Sequence, residues 1–177
     1  RHEIHAHPEL RFEEHQTAEL VAAKLKEFGI EVHRGLAGTG VVGSLKGNVP
    51  GTRAIALRAD MDALPMPEAN TFAHASQHEG TMPACSTDGP PAMLLGAARY
   101  LAETRNFAGT VHFIFQPGEE GGAGGKMMID EGLFEKFPVE EVYGMHNMPG
   151  VPLGMFAGRP GPIMAAADMI TITIKGR

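Results

Sequence analysis

The chain has 177 residues, 43% of them apolar and 20% charged, which is enough to bury a core and argues against disorder. Its formal net charge is −6, and it has no basic block and no interleaving of aromatic with basic residues, so nucleic acid is not an expected partner. No apolar run approaches the roughly 20 residues of a membrane helix, so no membrane partner is expected; a single cysteine, Cys85, excludes an internal disulfide framework and fits a reducing, cytoplasmic setting.

The first residues, Arg1-His2-Glu3-Ile4-His5, lack the apolar stretch of a secretory leader and read as the middle of a helix. Pro8 places the end of that helix near His7. From Thr17 to Phe28 the apolar residues Leu20, Val21, Leu25 and Phe28 recur at helical spacing, and Gly29 stops the helix. Strands are expected over Ile30–Val32, Gly40–Leu45 and Arg53–Ala59, with a turn at Asn48-Val49-Pro50-Gly51. Residues 60–91 form a long polar stretch with little periodicity, of the kind that is usually functional or mobile.

A helix from Pro91 to Thr104 follows, with Met93, Leu94, Ala97, Ala98 and Leu101 on one side. Thr110–Phe115 reads as a buried strand, apolar apart from His112, which is expected to be structural. Gly125–Phe134 reads as helix and Glu141–Met145 as strand. Alternating strands and helices predict an α/β fold, a layered sheet with flanking helices. Near the end, Ile170, Ile172 and Ile174 alternate with Thr171 and Thr173, predicting a half-exposed strand over Asp168–Lys175 that opens a second domain.

The chemistry concentrates at Phe115-Gln116-Pro117-Gly118-Glu119-Glu120 and Met145-His146-Asn147, each after a strand. Of two adjacent carboxylates, one can hold a metal while its neighbour moves a proton, and His146 is a further ligand candidate. The bland alternatives are a solvated acidic loop for Glu119-Glu120, a satisfied core histidine for His146 and a small buried apolar residue for Cys85. Asp60 and Asp62 lie just past a strand, where carboxylates commonly line α/β active sites; they could orient a ligand or simply shape a turn. Asp88 could support a ligand or cap the helix whose first turn holds Pro90 and Pro91. His2, His5, His7, His15, His33, His74 and His78 show no ligand-like grouping. The run Gly121-Gly122-Ala123-Gly124-Gly125 lacks phosphate-loop spacing and is expected to let the backbone pass close to a substrate.

Five segments in order carry a resemblance: His5-Ala6-His7-Pro8-Glu9-Leu10, Arg58-Ala59-Asp60-Met61-Asp62-Ala63-Leu64-Pro65, Ala92-Met93-Leu94-Leu95-Gly96-Ala97-Ala98, Phe115 to Gly122, and Met145-His146-Asn147. Over nearly its whole length the chain resembles the metal-dependent amidohydrolases that include hippurate hydrolases, N-acyl-amino-acid deacylases and indole-acetyl-amino-acid hydrolases. The resemblance implies the N-terminal part of a zinc-exopeptidase-like catalytic domain over residues 1–165. Residues 166–177 would be the first strand of an inserted α+β lid, which often carries the dimer contact. A sheet cut short would expose edges and apolar surface, so either a homo-oligomer or poor solubility is expected.

The resemblance also implies roles. Glu119 matches the general base, and Cys85, Glu120 and His146 match ligands of a two-metal site holding zinc or manganese. The implied substrate is a small N-acyl amino acid whose amide bond is hydrolysed. Where the family reads close to M-H-A-C-G-H-D-G-H-T, this chain has Met82-Pro83-Ala84-Cys85-Ser86-Thr87-Asp88-Gly89-Pro90-Pro91. Three histidines are replaced, and the one replaced by Thr87 is a metal ligand; a neutral hydroxyl is a weak substitute for imidazole. A site short of its usual four or so ligands predicts impaired metal binding and activity. The alternative is an inactive relative that serves as a binding or interaction module.

Overall fold

The computed structural model describes residues 1–84, 87–166, 168 and 170–176. Two units are distinguished, Arg1–Asn147 and Met148–Arg177. The first opens with a short helix α1 (His2–Ala6) that ends before Pro8, followed by α2 (His15–Glu27). The strands β1 (Glu31–Leu36), β2 (Gly40–Lys46) and β3 (Val49–Asp60) come next, then α3 (Gly89–Thr104) and β4 (Ala108–Gln116). A single irregular turn, α4 (Glu119–Gly122), leads into α5 (Gly124–Asp130), α6 (Leu133–Lys136) and β5 (Glu141–Gly144).

The five strands form one mixed sheet in the order β1-β2-β4-β3-β5. Strand β2 runs antiparallel to β1 and β4, while β3, β4 and β5 are mutually parallel. Side chains alternate across the sheet, as the pleat requires. Val41, Leu45, Val111, Phe113 and Phe115 face the cluster built with Val21, Ala22 and Leu25 of α2 and Leu94 and Ala98 of α3. Val42, Ala56 and Ile114 face the opposite layer, which Met128 of α5 and Leu133 of α6 complete. Helices thus cover both faces, and Leu25, Phe113 and Phe115 are fully buried. Truncating Leu25 to alanine would cost about 2–5 kcal/mol.

Several expectations are revised. Val49, Pro50 and Gly51 belong to β3 rather than to a turn, because Val49 already pairs with Ala108 across a register shift. The helix expected over Gly125–Phe134 is two helices, split where Gly132 adopts φ 89°. β5 ends at Gly144 rather than Met145 and is half-exposed to exposed, being the outermost strand with one neighbour. Among the described residues, the second unit contains no helix or strand. The strand expected over Asp168–Lys175 includes Met169, which lies outside the described residues, and the described residues of that stretch carry no strand. Leu153, Phe156, Ile170, Ile172 and Ile174 in this unit are exposed. No helix among the described residues is long and apolar enough to cross a membrane.

Candidate metal centre and the turn that carries its carboxylates

Parallel pairing brings the candidate residues to one edge. Asp60 at the end of β3 pairs with Gln116 at the end of β4, and Arg58 pairs with Gly144 at the end of β5. The segments leaving those strands, 61–64, 117–120 and 145–147, therefore depart from the same end of the sheet, where α/β folds place their ligand crevices. Helix α3 begins at the same place. A Cβ added to Gly89 in its first turn would lie 3.4 Å from Asn147 Nδ2.

The tandem carboxylates sit on a turn held from below. Asp62, fully buried, accepts the backbone N–H of Glu119 at Oδ1 (2.8 Å) and that of Glu120 at Oδ2 (2.9 Å). Glu14, also fully buried, accepts the N–H of Gly118 at Oε1 (2.8 Å). Three consecutive N–H groups thus end on two buried carboxylates. Arg11 Nη1 donates to the Glu120 carbonyl oxygen at 3.0 Å. The glycine run serves this turn rather than open space for a substrate. A Cβ on Gly118 or Gly122 would meet the Phe12 ring at 2.5 or 2.7 Å, and one on Gly124 would stand 1.7 Å from the Pro117 carbonyl oxygen.

Glu119 is exposed, whereas Glu120 is half-buried. Partial desolvation pushes the Glu119 carboxyl above the usual carboxylate range; the neighbouring Glu120, Asp60 and Asp62 push the same way, against Arg58. Two buried side-chain atoms among the described residues have no hydrogen-bond partner: Glu120 Oε1 and Thr87 Oγ1. Unpaired buried polar atoms call for an explanation, and an ion is one of the standard ones.

Cys85 lies outside the described residues. His146 is exposed just after β5, and its Nδ1 donates to the Asn147 carbonyl oxygen at 2.6 Å. Among the described residues, no group of three or more histidine, cysteine or acidic side chains is placed to hold a metal ion. Asp60 is buried, with Oδ1 3.7 Å from Arg58 Nη1. His112 is buried in β4 beside Ser44, whose Oγ lies 2.8 Å from Nδ1; burial lowers its pKa.

Asp88 does not cap α3 with its side chain. Its Oδ2 instead accepts from His5 Nδ1 and Arg1 Nε, both at 2.8 Å. His5 Nε2 meets Glu68 Oε1 at 3.0 Å, and Glu68 Oε2 accepts the Ser76 N–H. Both ring nitrogens face carboxylates, so both donate. Burial pulls the His5 pKa down, but the bonds to Glu68 and Asp88 outweigh it and leave the pKa raised. This cluster, with the Gln77 N–H to Ala6 carbonyl bond, staples the long 61–88 segment onto α1. Glu14 and His5 escaped sequence reasoning because their partners lie 104 and 83 residues away. The available signals were a charged residue at the mouth of α2 and the His5-to-Leu10 motif itself.

Comparison with known proteins agrees with this architecture. Residues 56–175 match the peptidase family M20/M25/M40. The whole chain aligns with hippurate hydrolase of Campylobacter jejuni at 50% identity and with N-acetyl-L-cysteine deacetylase of Bacillus subtilis at 40%, covering 46% and 42% of those proteins. The chain therefore spans about half the length of these relatives. A crystal structure of the Bacillus subtilis YXEP protein, described as a dinuclear metal binding peptidase from the M20 family, superposes on 86% of this chain with TM-score 0.81 and 39% identity, covering 43% of that chain. The parallel strands, the turn bearing two acids and these alignments lead to one conclusion: the chain belongs to the peptidase family M20/M25/M40.

Proposed function

We propose that this chain supplies the carboxylate-bearing half of a metal-dependent amidohydrolase acting on small N-acyl amino acids, with metal binding weakened at Thr87. The observation that carries this reading is the Asp62 clamp, which fixes the backbone of Glu119 and Glu120 together at the carboxyl end of the parallel strands. A clamp on two successive N–H groups is superfluous for a solvated acidic loop. It suits a pair of acids that must act at fixed positions.

The donor chemistry fits one cation better than two. Glu120 presents a buried carboxylate oxygen with no partner, which a cation would satisfy. Cys85 and His146, by their match to the family motif, would complete the set. Thr87 adds a buried hydroxyl where the family has imidazole, and a hydroxyl contributes little at a borderline-soft ion. A divalent ion such as zinc or manganese, once bound, supplies Lewis acidity toward water and the amide carbonyl. Glu119, the exposed partner, takes a proton from water and delivers it to the leaving amine nitrogen. Asp62 keeps Glu119 and Glu120 in register, and residues from 166 onward begin the lid domain.

The test is metal titration of purified protein carrying this sequence, with hydrolysis of hippurate and N-acetyl amino acids followed by amine release. Binding of about one ion per chain and slow, metal-dependent hydrolysis abolished by Glu119→Gln are expected. Absence of both binding and hydrolysis would overturn the reading. It would favour the rival that the unpaired Thr87 hydroxyl also suggests, a non-catalytic relative that keeps the scaffold for binding.

A further inference from the structure

The turn that carries Glu119 is gripped on a second side by a segment to which the proposed chemistry assigns no part. Residues 11–14 end the connection from α1 to α2. Phe12 stands in the left-handed region at φ 62°, which a bulky side chain seldom adopts and which marks a backbone held by its surroundings. Its N–H donates to Glu14 Oε1 at 2.8 Å, the same oxygen that receives the Gly118 N–H. Glu14 Oε2 accepts the Thr39 hydroxyl from the turn between β1 and β2. A single fully buried carboxylate thus ties together the mouth of α2, the β1–β2 turn and the residue preceding Glu119.

Packing repeats the connection. Phe12 lies against Gly118 and Gly122 so closely that neither position has room for a Cβ, and Arg11 holds the carbonyl oxygen of Glu120. Capping of α2 does not require Glu14, because the first free N–H groups of that helix, at Gln16 and Thr17, go to the two oxygens of Glu9. Its carboxylate is committed to the turn.

We propose that Glu14 is a positioning residue: acting through the N–H groups of Phe12 and Gly118, it sets where the main chain of Glu119 begins. The inference rests on the reading of Glu119 as the proton carrier. Asp62 fixes the turn from β3 and Glu14 fixes it from α2, so the carboxylates are referenced to two elements. Displacing such a group by about 1 Å can cost about 10²-fold in rate.

Two variants separate reach from charge. Glu14→Asp keeps a carboxylate but is one methylene too short to span Phe12 and Gly118. Glu14→Gln keeps the length: its amide oxygen can accept both N–H groups while its NH2 donates to the Thr39 oxygen. In Glu14→Asp, kcat toward an N-acyl amino acid, measured at saturating metal, falls about 10²-fold with KM unchanged. Amide hydrogen exchange at Gly118 and Glu119 in the metal-free protein rises about tenfold. Glu14→Gln stays within about threefold of wild type in both measurements. The proposal is overturned if exchange at Gly118 and Glu119 is unchanged in Glu14→Asp, or if Glu14→Gln is damaged as much as Glu14→Asp. It is also overturned if exchange rises equally at Val21 and Leu25 in α2, which would mean general loosening. A wild-type protein that hydrolyses nothing removes the proposed function, while exchange in the metal-free protein still decides whether Glu14 holds the turn.

Discussion

The main chain of Glu120 hangs from the side chain of Asp62, N to Oδ2 2.9 Å, while the other oxygen of the same carboxylate holds Glu119. Two adjacent residues that share one buried acceptor cannot shift independently. Asp62→Asn keeps the size but offers a single acceptor oxygen, so one backbone N–H loses its partner and faces an NH2 group. The expected cost is about 1–3 kcal/mol of stability and about 10²-fold in kcat. Denaturant titration and steady-state kinetics measure both; a folded Asp62→Asn protein with wild-type kcat would show that the clamp is not catalytic support.

Thr87 is the second position where a single change is informative. It is buried at 1% exposure with an unpaired hydroxyl, at the position where the family resemblance implies imidazole. Thr87→His restores a ligand type that suits zinc. Metal affinity is expected to rise about 10–100-fold, comparable to or above what supporting groups around a metal contribute. The larger ring costs about 1–3 kcal/mol in the metal-free protein, and saturating metal should return about that amount, since a ligand at a hundred times its Kd stabilises by about 2.7 kcal/mol. Calorimetric titration checks the first effect, and melting with and without metal checks the second. If Pro83→His and Pro90→His must be added before any gain appears, the whole segment sets the affinity and Thr87 alone does not.

What the sequence made legible was local. Period and punctuation placed α2, β2, β3, α3 and β4, and Glu119 and His146 follow the ends of β4 and β5, whereas Asp60, read as lying past its strand, is the last paired residue of β3. Long-range facts were illegible. No periodicity says that β4 lies between β2 and β3, because insertion order follows from sheet pairing and not from neighbouring residues. Glu14 drew no reading from the sequence, since burial of its carboxylate depends on three donors contributed by Phe12, Thr39 and Gly118.

Gly124 tests whether the glycine run is a packing device. Its Cα faces the Pro117 carbonyl at a range where a Cβ would stand 1.7 Å from the oxygen and 2.7 Å from the carbon, both backbone atoms that cannot rotate away. Its N–H also donates to the Gly118 carbonyl oxygen at 3.0 Å. Gly124→Ala should therefore displace the turn and lower stability by more than about 2 kcal/mol. Gly96→Ala in α3, where a Cβ meets nothing within 4 Å, should be neutral to stabilising by up to about 1 kcal/mol. Parallel denaturation curves compare the two; equal effects would mean that close packing around Gly124 is not what selects glycine there.

The staple through His5 makes stability depend on pH in a bounded window. Burial raises the Glu68 carboxyl, but the bond from His5 and the N–H of Ser76 outweigh it and hold the pKa at about 2. Asp88 is likewise lowered, burial being outweighed by His5 and Arg1. A lowered carboxyl stabilises the fold above its unfolded value, 4.5 for Glu68 and 3.8 for Asp88, and loses that contribution as pH falls through the folded value. A raised histidine does the reverse: the His5 contribution is complete below 6.5 and disappears as pH climbs through its higher folded value. Both contributions overlap between pH 4.5 and 6.5. His5→Phe removes the imidazolium but keeps a ring beside Phe72, which already packs edge-on to His5. The stability difference between wild type and His5→Phe, measured by denaturant midpoints from about pH 3 to about pH 9, should form a dome with its plateau in that window. A difference that keeps growing above pH 6.5 would show that hydrogen bonding to a neutral ring, not the doubly held imidazolium, fastens the 61–88 segment to α1.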